Sequence, residues 1–213
     1  MGLVTKVVPS LLALTLLQAF KPSEAHELLN HKVVNDKFEF WWQFMDADSS
    51  VVFELKCRTQ GWCGLGLSPK GDMEGADLFI GWVRNGVGYL KDAHAKTNGP
   101  PTVDAQNDLT LINATESGTH TILRFKRPLS TGDEFDMPIS KDTFKLIYAS
   151  SNQDPLNTEF TTFPYNLMHE KTDRGTVKIN FAGIKPDIPL PANHFPINMQ
   201  MPNVTIPNVD TTY

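Results

Sequence analysis

Several features that are common in enzymes and nucleic-acid-binding proteins are missing from this sequence of 213 residues. The chain has 19 Lys and Arg residues and 24 Asp and Glu residues, which gives a formal net charge of −5. It therefore lacks the excess of basic residues that is expected of a nucleic-acid-binding protein. No Gly-x-Ser-x-Gly, P-loop or His-Glu-x-x-His motif occurs, and hydrolytic catalysis is unsupported. No stretch after residue 25 approaches about 18 consecutive apolar residues, so no membrane span is expected.

Cysteine is equally scarce, with only Cys57 and Cys63 in the chain. A Cys-x-x-Cys redox motif is absent, and a structural zinc site would need two further Cys or His ligands at a recognisable spacing. Two cysteines this close together in an oxidising compartment predict one disulfide across a hairpin turn. Because the closed loop is short, its stabilisation should be at the low end of the usual range.

The first 25 residues have the pattern of a secretory signal peptide. Lys6 supplies a positive charge, residues 7–20 are mostly apolar, and Ser23-Glu-Ala25 fits a small-x-small cleavage site. We therefore expect a soluble product that is secreted or resides in the lumen of the secretory pathway. Two sequons, at Asn113 and Asn203, then become candidate glycosylation sites.

Short apolar runs separated by turn residues dominate the rest of the chain. They lack a sustained period of 3.6 residues and predict an all-β, immunoglobulin-like antiparallel β-sandwich over residues 26–183, with little helix. Prolines recur after residue 183, too densely for a helix or an interior strand, so residues 184–213 are predicted to be an extended Pro-rich tail. The predicted strands are 38–42, 51–55, 62–67, 78–83, 87–90, 109–112, 122–125, 144–148 and 176–181.

Acidic residues gather around the turns in the middle of the chain. Hard cations such as Ca²⁺ take about six to eight oxygen ligands, and strand ends on neighbouring turns can bring several together. Asp residues also cap turns by binding backbone amides, and without an EF-hand spacing this simpler interpretation is favoured on the pattern alone. The residues concerned are Asp72, Asp77, Asp92, Asp104 and Asp108.

The segment 61–92, GWCGLGLSPKGDMEGADLFIGWVRNGVGYLKD, resembles the DOMON domain of the dopamine β-hydroxylase-like, copper- and ascorbate-dependent monooxygenases. The segment Leu123-Arg-Phe-Lys-Arg-Pro-Leu129 is similar to a strand end of the same domains, and residues 203–213 are similar to their linker into the first copper domain. The resemblance implies a β-sandwich that binds or scaffolds, because copper chemistry belongs to later domains whose ligands are absent here. Cys57 and Cys63 depart from the family pattern.

The resemblance also implies a cation site. In these DOMON domains the cation is held by backbone carbonyls at an Ala-Asp-Leu strand start and an Asp-Ala step, and by one aspartate side chain. The matching positions are Asp77, Leu78 and Ala93, with Asp108 as the charged ligand. A single charged ligand implies modest affinity, so the resemblance predicts a structural Ca²⁺ or another cation.

Some DOMON relatives are b-type cytochromes, in which haem iron lies between a methionine of this Gly-x-Met region and a distant histidine. The matching methionine is Met73, and His94, His120 and His169 are the candidate histidines. His120, on a predicted strand, is the one we select. The simpler interpretation is that Met73 packs beneath its loop and the histidines lie on the surface, so haem is not the expected cofactor.

Three functions are compatible with this sequence. The first is a secreted, non-catalytic DOMON module for ligand binding or assembly; the second is the regulatory N-terminal domain of a copper monooxygenase whose catalytic part is missing; the third is a haem-binding electron-transfer domain. Partners of the first would be a small molecule or carbohydrate, a protein, or a second copy. Adjacent Trp41 and Trp42 must face opposite sides of a strand, which predicts that one ring is either exposed, and so available to a ligand, or covered by the tail.

Overall fold

Eleven antiparallel strands make up most of the chain that the computed structural model describes, residues 28–182. Two short 3-10 turns, Tyr165–Leu167 and Lys171–Asp173, are the only helical segments in that range, and none there is long and apolar enough to cross a bilayer. The strands are β1 (Asn30–Val33), β2 (Phe38–Met45), β3 (Ser50–Cys57), β4 (Cys63–Ser68), β5 (Ala76–Arg84), β6 (Val87–Ala95), β7 (Thr102–Val103), β8 (Thr110–Glu116), β9 (Thr121–Pro128), β10 (Thr143–Ser150) and β11 (Arg174–Asn180).

The strands form two facing sheets. The five-stranded sheet has the order β1-β2-β3-β9-β8, and the six-stranded sheet has the order β11-β10-β4-β5-β6-β7. Every predicted apolar run lies on one of these strands, which confirms the antiparallel β-sandwich. The predicted Asn-Gly turn joins β5 to β6, where Asn85 and Gly86 both have positive φ, as a two-residue hairpin requires.

The main core lies between the two sheets and is rich in phenylalanine. Phe53 is fully buried, and its ring centroid lies 5.7 Å from that of Phe125 and 6.1 Å from that of Phe79. Burial alternates strictly along β9, as expected of a strand with one face on the core. Each buried ring of this size contributes about 1.5–3 kcal/mol through loss of apolar surface to water.

A second apolar cluster lies on the outer face of the six-stranded sheet. Ile80 and Trp82 of β5 point outward, and Phe163 and Leu167 from residues 151–173 pack over them. We call residues 151–173 the cover segment. Because this sheet is covered on both faces, all six residues of β4 are buried.

The disulfide between Cys57 and Cys63 is confirmed, and both cysteines are fully buried. The prediction that it spans a hairpin turn is wrong, because β3 and β4 belong to different sheets. The disulfide instead closes the loop in which the chain crosses from the five-stranded to the six-stranded sheet. It therefore ties the two layers together at one end of the sandwich.

Candidate functional site

Three buried carboxyl groups meet where β5, β6 and the segment after β9 converge. Asp77, Asp92 and Asp136 each offer one oxygen, and these oxygens lie within 4.8 Å of one another. Arg127 of β9, itself fully buried, places Nη2 2.7 Å from Oδ2 of Asp77 and 3.0 Å from Oδ2 of Asp136. We call these four residues the acidic cluster. It holds three carboxyl groups against one guanidinium group.

Backbone amides satisfy only part of the acidic cluster. Oδ2 of Asp77 accepts a hydrogen bond from the Met137 N–H at 2.8 Å, and Oδ2 of Asp92 accepts one from the Asp108 N–H at 3.0 Å. The Oδ1 atoms of Asp77 and Asp92 are buried and have no hydrogen-bond partner among residues 28–182. Buried polar atoms left without partners are costly, so these two oxygens are the atoms that a cation or a proton would satisfy.

The pKa values of the two strand carboxyls are shifted upward. Burial raises the pKa of Asp92 to about 8, and the neighbouring Asp136 charge adds to the shift. Burial also raises the pKa of Asp77 to about 7, although Arg127 opposes the shift. Desolvation therefore outweighs the single guanidinium charge, and Asp77 and Asp92 hold a proton to higher pH than an exposed aspartate does.

The four predicted cation positions lie beside the acidic cluster. Leu78 and Ala93 are direct partners across β5 and β6, and Asp77 precedes Leu78. The segment after β7 wraps around Asp92, so Asp108 comes close to the same strand end. The carboxylate of Asp108 accepts hydrogen bonds from Gln106 Nε2 at 2.9 and 3.0 Å. Cation coordination by these residues stays a prediction.

His94, one of the candidate haem ligands, already has structural partners. Its Nδ1 is bonded to the Asp104 carboxylate, and its ring stacks on Phe135 with centroids 3.8 Å apart. Both members of the pair are buried. His94 therefore links β6 to the loops around the acidic cluster.

The second candidate region is a cavity of about 640 Å³ between the six-stranded sheet and the cover segment. Gly64 and Gly66 of β4 form part of its floor, where a Cβ added at Gly66 would lie 2.5 Å from Cδ2 of Leu78 and 3.0 Å from the Asp77 carbonyl oxygen. Gly66 therefore leaves the room that the Leu78 side chain of the floor occupies. We call this space the covered cavity. Its apolar lining includes Trp62, Met73, Leu78, Ile80, Ile147, Phe163 and Leu167.

The disulfide loop holds the cover segment in place. Trp62 donates from Nε1 to the Leu167 carbonyl at 2.9 Å, and the Ser151 N–H donates to the Trp62 carbonyl at 3.0 Å. Thr59 Oγ1 donates to the Ser151 carbonyl at 2.6 Å. With a fourth hydrogen bond, from the Trp62 N–H to the Gln153 carbonyl at 3.4 Å, these contacts join the loop closed by Cys57 and Cys63 to the segment that roofs the cavity.

The mouth of the covered cavity is more basic than acidic. Lys171 and Arg174 line it and are exposed, and neither makes an ion pair or a side-chain hydrogen bond within the described range. Asp72 is the one acidic residue among the described residues that line the cavity. Burial lowers the pKa of His169, which also lines the cavity, so its imidazole is neutral at physiological pH.

The structure changes the predicted pairing of Met73 with a histidine. Met73 lines the covered cavity together with His169, which sequence reasoning did not select. His120 instead lies in the exposed turn between β8 and β9, where Nδ1 is 2.8 Å from Oγ1 of Thr119. Sequence alone could not show that the chain folds back over β4 and brings residue 169 to the Met73 loop.

The tryptophans divide as the strand pattern predicts. Trp42 is buried in the core, while its neighbour Trp41 is half-buried on the opposite face and stacks on His31 at 4.3 Å between centroids. Trp82 is fully buried, and Trp62 lies in the wall of the covered cavity. Asn113 is exposed on β8. Asn203, the predicted signal peptide and the Pro-rich tail lie outside the described residues.

Comparison with known proteins gives one family for this fold. The model of the DOMON domain matches residues 34–151. MOXD1 homolog 2 of Drosophila melanogaster is 43% identical over 125 residues, covering 57% of this chain and 16% of that protein. DBH-like monooxygenase protein 1 of Mus musculus is 31% identical over 213 residues, covering 96% of this chain and 32% of that protein. The chain spans no more than a third of the length of these relatives.

Solved structures share the fold. The cytochrome domain of Myriococcum thermophilum cellobiose dehydrogenase superposes with a TM-score of 0.53 at 20% identity, covering 70% of this chain and 78% of that chain. The cytochrome b domain of pyranose dehydrogenase from Coprinopsis cinerea gives a TM-score of 0.53 at 17% identity, covering 67% and 76%. At such identities the likeness concerns the fold.

Proposed function

Because the chain belongs to the DOMON domain family, we propose that it is a non-catalytic binding module whose ligand occupies the covered cavity. The ligand is a small, apolar molecule that carries an anionic group. The observation that supports this function is the cavity of about 640 Å³ with an apolar lining and a basic mouth. Ligand pockets in proteins usually measure about 300–1,000 Å³ and have mostly apolar walls with a few polar groups.

The charges at the mouth support the anionic group. Lys171 and Arg174 are exposed cations with no acidic partner among the described residues, so a carboxylate or sulfonate could bind either without displacing an existing ion pair. A guanidinium group binds such oxyanions through two parallel hydrogen bonds. The apolar body would then contact Trp62 and Phe163 inside the cavity.

The test compares two fluorescent probes that differ in one charge. Anilinonaphthalene sulfonate is an apolar anion, and N-phenylnaphthylamine is its uncharged parent. We expect both probes to bind, and the anion to bind about tenfold more tightly than the uncharged probe at low salt. Binding should be seen as energy transfer from Trp62 to the probe. Arg174→Ala should abolish most of the preference for the anion, because a charge-assisted hydrogen bond contributes about 1.5–3 kcal/mol.

Lys178→Ala is the matched control, since Lys178 is exposed on the same strand but does not line the cavity. It should leave both affinities unchanged. Equal loss in the two variants, or equal affinity of the wild-type protein for the two probes, would contradict the proposed ligand class. No saturable binding of either probe would contradict the proposed function.

A structural cation at Asp77, Leu78, Ala93 and Asp108 is a further part of this proposal. It is supported by the two partnerless carboxylate oxygens in the acidic cluster, which lie beside these positions. We also propose passage through the secretory pathway, which the pattern of residues 1–25 and the disulfide support.

The second candidate is the regulatory N-terminal domain of a copper-dependent monooxygenase. It is favoured by the similarity to DBH-like monooxygenase protein 1, of which the chain covers 32% in the mouse protein. The transcript beyond the codon for Tyr213 provides the test. Codons for copper-ligand histidines there would establish this function, and a stop codon would remove it.

The third candidate is haem binding, which the names of the two cytochrome domains suggest. The donor chemistry fits, because the thioether of Met73 and the neutral imidazole of His169 line the same cavity. Met/His-ligated haem supplies one-electron transfer. Purified protein supplied with haem should show a Soret band that Met73→Leu and His169→Ala each alter. If the protein shows no such band, haem binding is excluded as a function.

A further inference from the structure

The edges of a β-sheet present unpaired backbone N–H and C=O groups that can pair with another chain. Folded proteins block such edges with short strands, lysine or arginine side chains, prolines, bulges or covering segments. This sandwich has four edges, formed by β1, β7, β8 and β11.

Three of the four edges are blocked by ordinary means. β1 contains Lys32, whose positive charge disfavours pairing with a second chain. β7 has two residues, and the cover segment bridges it through Thr102 and Thr162. β11 is longer, but Arg174 and Lys178 are exposed along it.

The β8 edge is different. It has seven residues, Thr110–Glu116, with no lysine, arginine or proline. A register shift between Leu111 and Asn113 disturbs its first half and leaves Ile112 51% exposed. The second half pairs regularly with β9 from Asn113 to Glu116, so four consecutive residues present an undistorted outer edge.

Apolar surface adjoins this edge. Val87 is 52% exposed and precedes Gly88, against which Leu111 and Ala114 of β8 pack. Ile112 on β8 and Val87 on the facing β6 are thus two exposed aliphatic side chains at this end of the sandwich. A long edge with exposed aliphatic groups and no positive charge is the type that pairs with a second copy of the same chain.

The regular half of β8 begins with a glycosylation sequon, Asn113-Ala-Thr115. Asn113 pairs with Arg124 of β9, and both Asn113 and Thr115 are exposed. A group attached to Asn113 would therefore stand in solvent at the edge, beside the four regular residues.

We propose that an N-linked glycan on Asn113 blocks the β8 edge and prevents the chain from pairing there with a second copy of itself. A strand added to β8 would lie about 4.8 Å away, in the space beside the glycan's attachment point. The bulk and hydration of the glycan replace the positive charge and the cover that protect the other edges. This role rests on secretory passage, which is part of the proposed function.

The modification itself is the standard transfer in the secretory pathway. The donor is an oligosaccharide carried on a lipid pyrophosphate. The bond between the first sugar carbon and the pyrophosphate oxygen breaks, and a bond from that carbon to the amide nitrogen of Asn113 forms. The amide proton leaves with the lipid pyrophosphate.

Substitutions at Thr115 separate the glycan from the edge it shields. Thr115→Ser keeps the sequon and the glycan. Thr115→Ala and Thr115→Lys both abolish the sequon, but only the second adds a positive charge to the edge. Each variant is expressed as the full chain in eukaryotic cells and purified from the medium. Mass spectrometry of the intact protein measures the glycan occupancy, and light scattering over a concentration series measures the molecular mass in solution.

We expect the wild-type protein and Thr115→Ser to be glycosylated at Asn113 and monomeric. Thr115→Ala should self-associate, its mass rising with concentration to at least twice that of one chain, while Thr115→Lys should remain monomeric without a glycan. Asn203→Gln removes the other sequon as a control and should leave the oligomeric state unchanged. Thermal unfolding of the two unglycosylated variants confirms that both are folded.

Three results would overturn the proposal. One is an unmodified Asn113 in secreted protein whose N-terminus shows signal cleavage; another is a Thr115→Ala variant that stays monomeric. The third is equal self-association of Thr115→Ala and Thr115→Lys, which would mean that the glycan acts elsewhere. A chain retained with an uncleaved N-terminus would remove the secretory premise of the proposed function as well as this role.

Discussion

Replacing Asp92 by asparagine should stabilise this protein at neutral pH when no divalent cation is present. Burial raises the pKa of Asp92 to about 8 from its ordinary 3.8, so the folded state keeps a proton that the unfolded state releases. Between about pH 4 and pH 8 the folded state therefore binds more protons, and the free energy of unfolding falls as pH rises.

The size of the effect follows from the shift. One pKa unit corresponds to about 1.4 kcal/mol, so keeping Asp92 neutral at pH 7 costs the folded state about 4 kcal/mol relative to an ionised unfolded chain. Asparagine removes this cost, and its Oδ1 can still accept the hydrogen bond from the Asp108 N–H. Asp92→Asn should gain up to about 4 kcal/mol at pH 7 and almost nothing near pH 4.

Urea unfolding from pH 4.5 to pH 8 in EDTA measures the difference. Asp36→Asn is the matched control, because the Asp36 side chain is 78% exposed and should change stability by less than about 0.5 kcal/mol. The reasoning is refuted if Asp92→Asn is the less stable protein at pH 7 in EDTA, or if wild-type stability rises between pH 5 and pH 8. Repeating the series with Ca²⁺ should flatten the wild-type slope, because a bound cation replaces the protons.

Three further changes test the acidic cluster and the disulfide loop. Arg127→Met leaves the buried carboxyls without their cation and should cost about 3–5 kcal/mol in urea unfolding, more at pH 8 than at pH 5. Lys126→Met, on the exposed side of the same strand, should cost less than about 1 kcal/mol, and a similar loss in both would refute a special role for Arg127. Asp108→Asn should abolish the rise in melting temperature that Ca²⁺ gives the wild-type protein; an unchanged rise would place the cation elsewhere. Replacing Cys57 and Cys63 together by serine should cost about 2 kcal/mol and speed probe entry into the covered cavity, seen in stopped-flow fluorescence. Unchanged entry kinetics would show that the disulfide loop does not hold the roof.

Strand periodicity was sufficient to predict the layers of this protein. Each run with two-residue alternation, such as 51–55, is a strand whose alternate residues fill the core. β1 and β7 were missed because four half-exposed residues and two residues are too short to show a period. The disulfide partners were predicted, but the crossing between sheets was not, since adjacent strands in sequence need not be neighbours in a sheet.

Strand periodicity predicts only part of the acidic cluster. Alternation along β9 places Thr121, Leu123 and Phe125 inward, so Arg127 must also point inward, and a buried arginine needs a carboxylate. The pairing of Arg127 with a buried carboxylate can therefore be inferred from the strand pattern. Asp136 lies in a loop without periodicity, so its approach to Asp77 could not be predicted from sequence.

The covered cavity shows what local pattern cannot supply. In β5 the residues of both faces are apolar, Phe79 and Gly81 inward and Ile80 and Trp82 outward, which indicates a strand covered on both sides. The pattern says that a cover exists but not which segment provides it. Residues 151–173 are irregular and largely polar, and their place depends on hydrogen bonds to the loop between β3 and β4.

By itself, the sequence determined nine of the eleven described strands, which faces of them are apolar, that the two cysteines pair, and that the chain belongs with DOMON domains, because all of these depend on residue types at short spacings. The tertiary structure decided which carboxyls share Arg127, which histidine lies near Met73, and which edge strand stays open. Those outcomes depend on contacts between residues that are far apart in the chain. The free energy of such contacts comes from burial and desolvation, which no local spacing records.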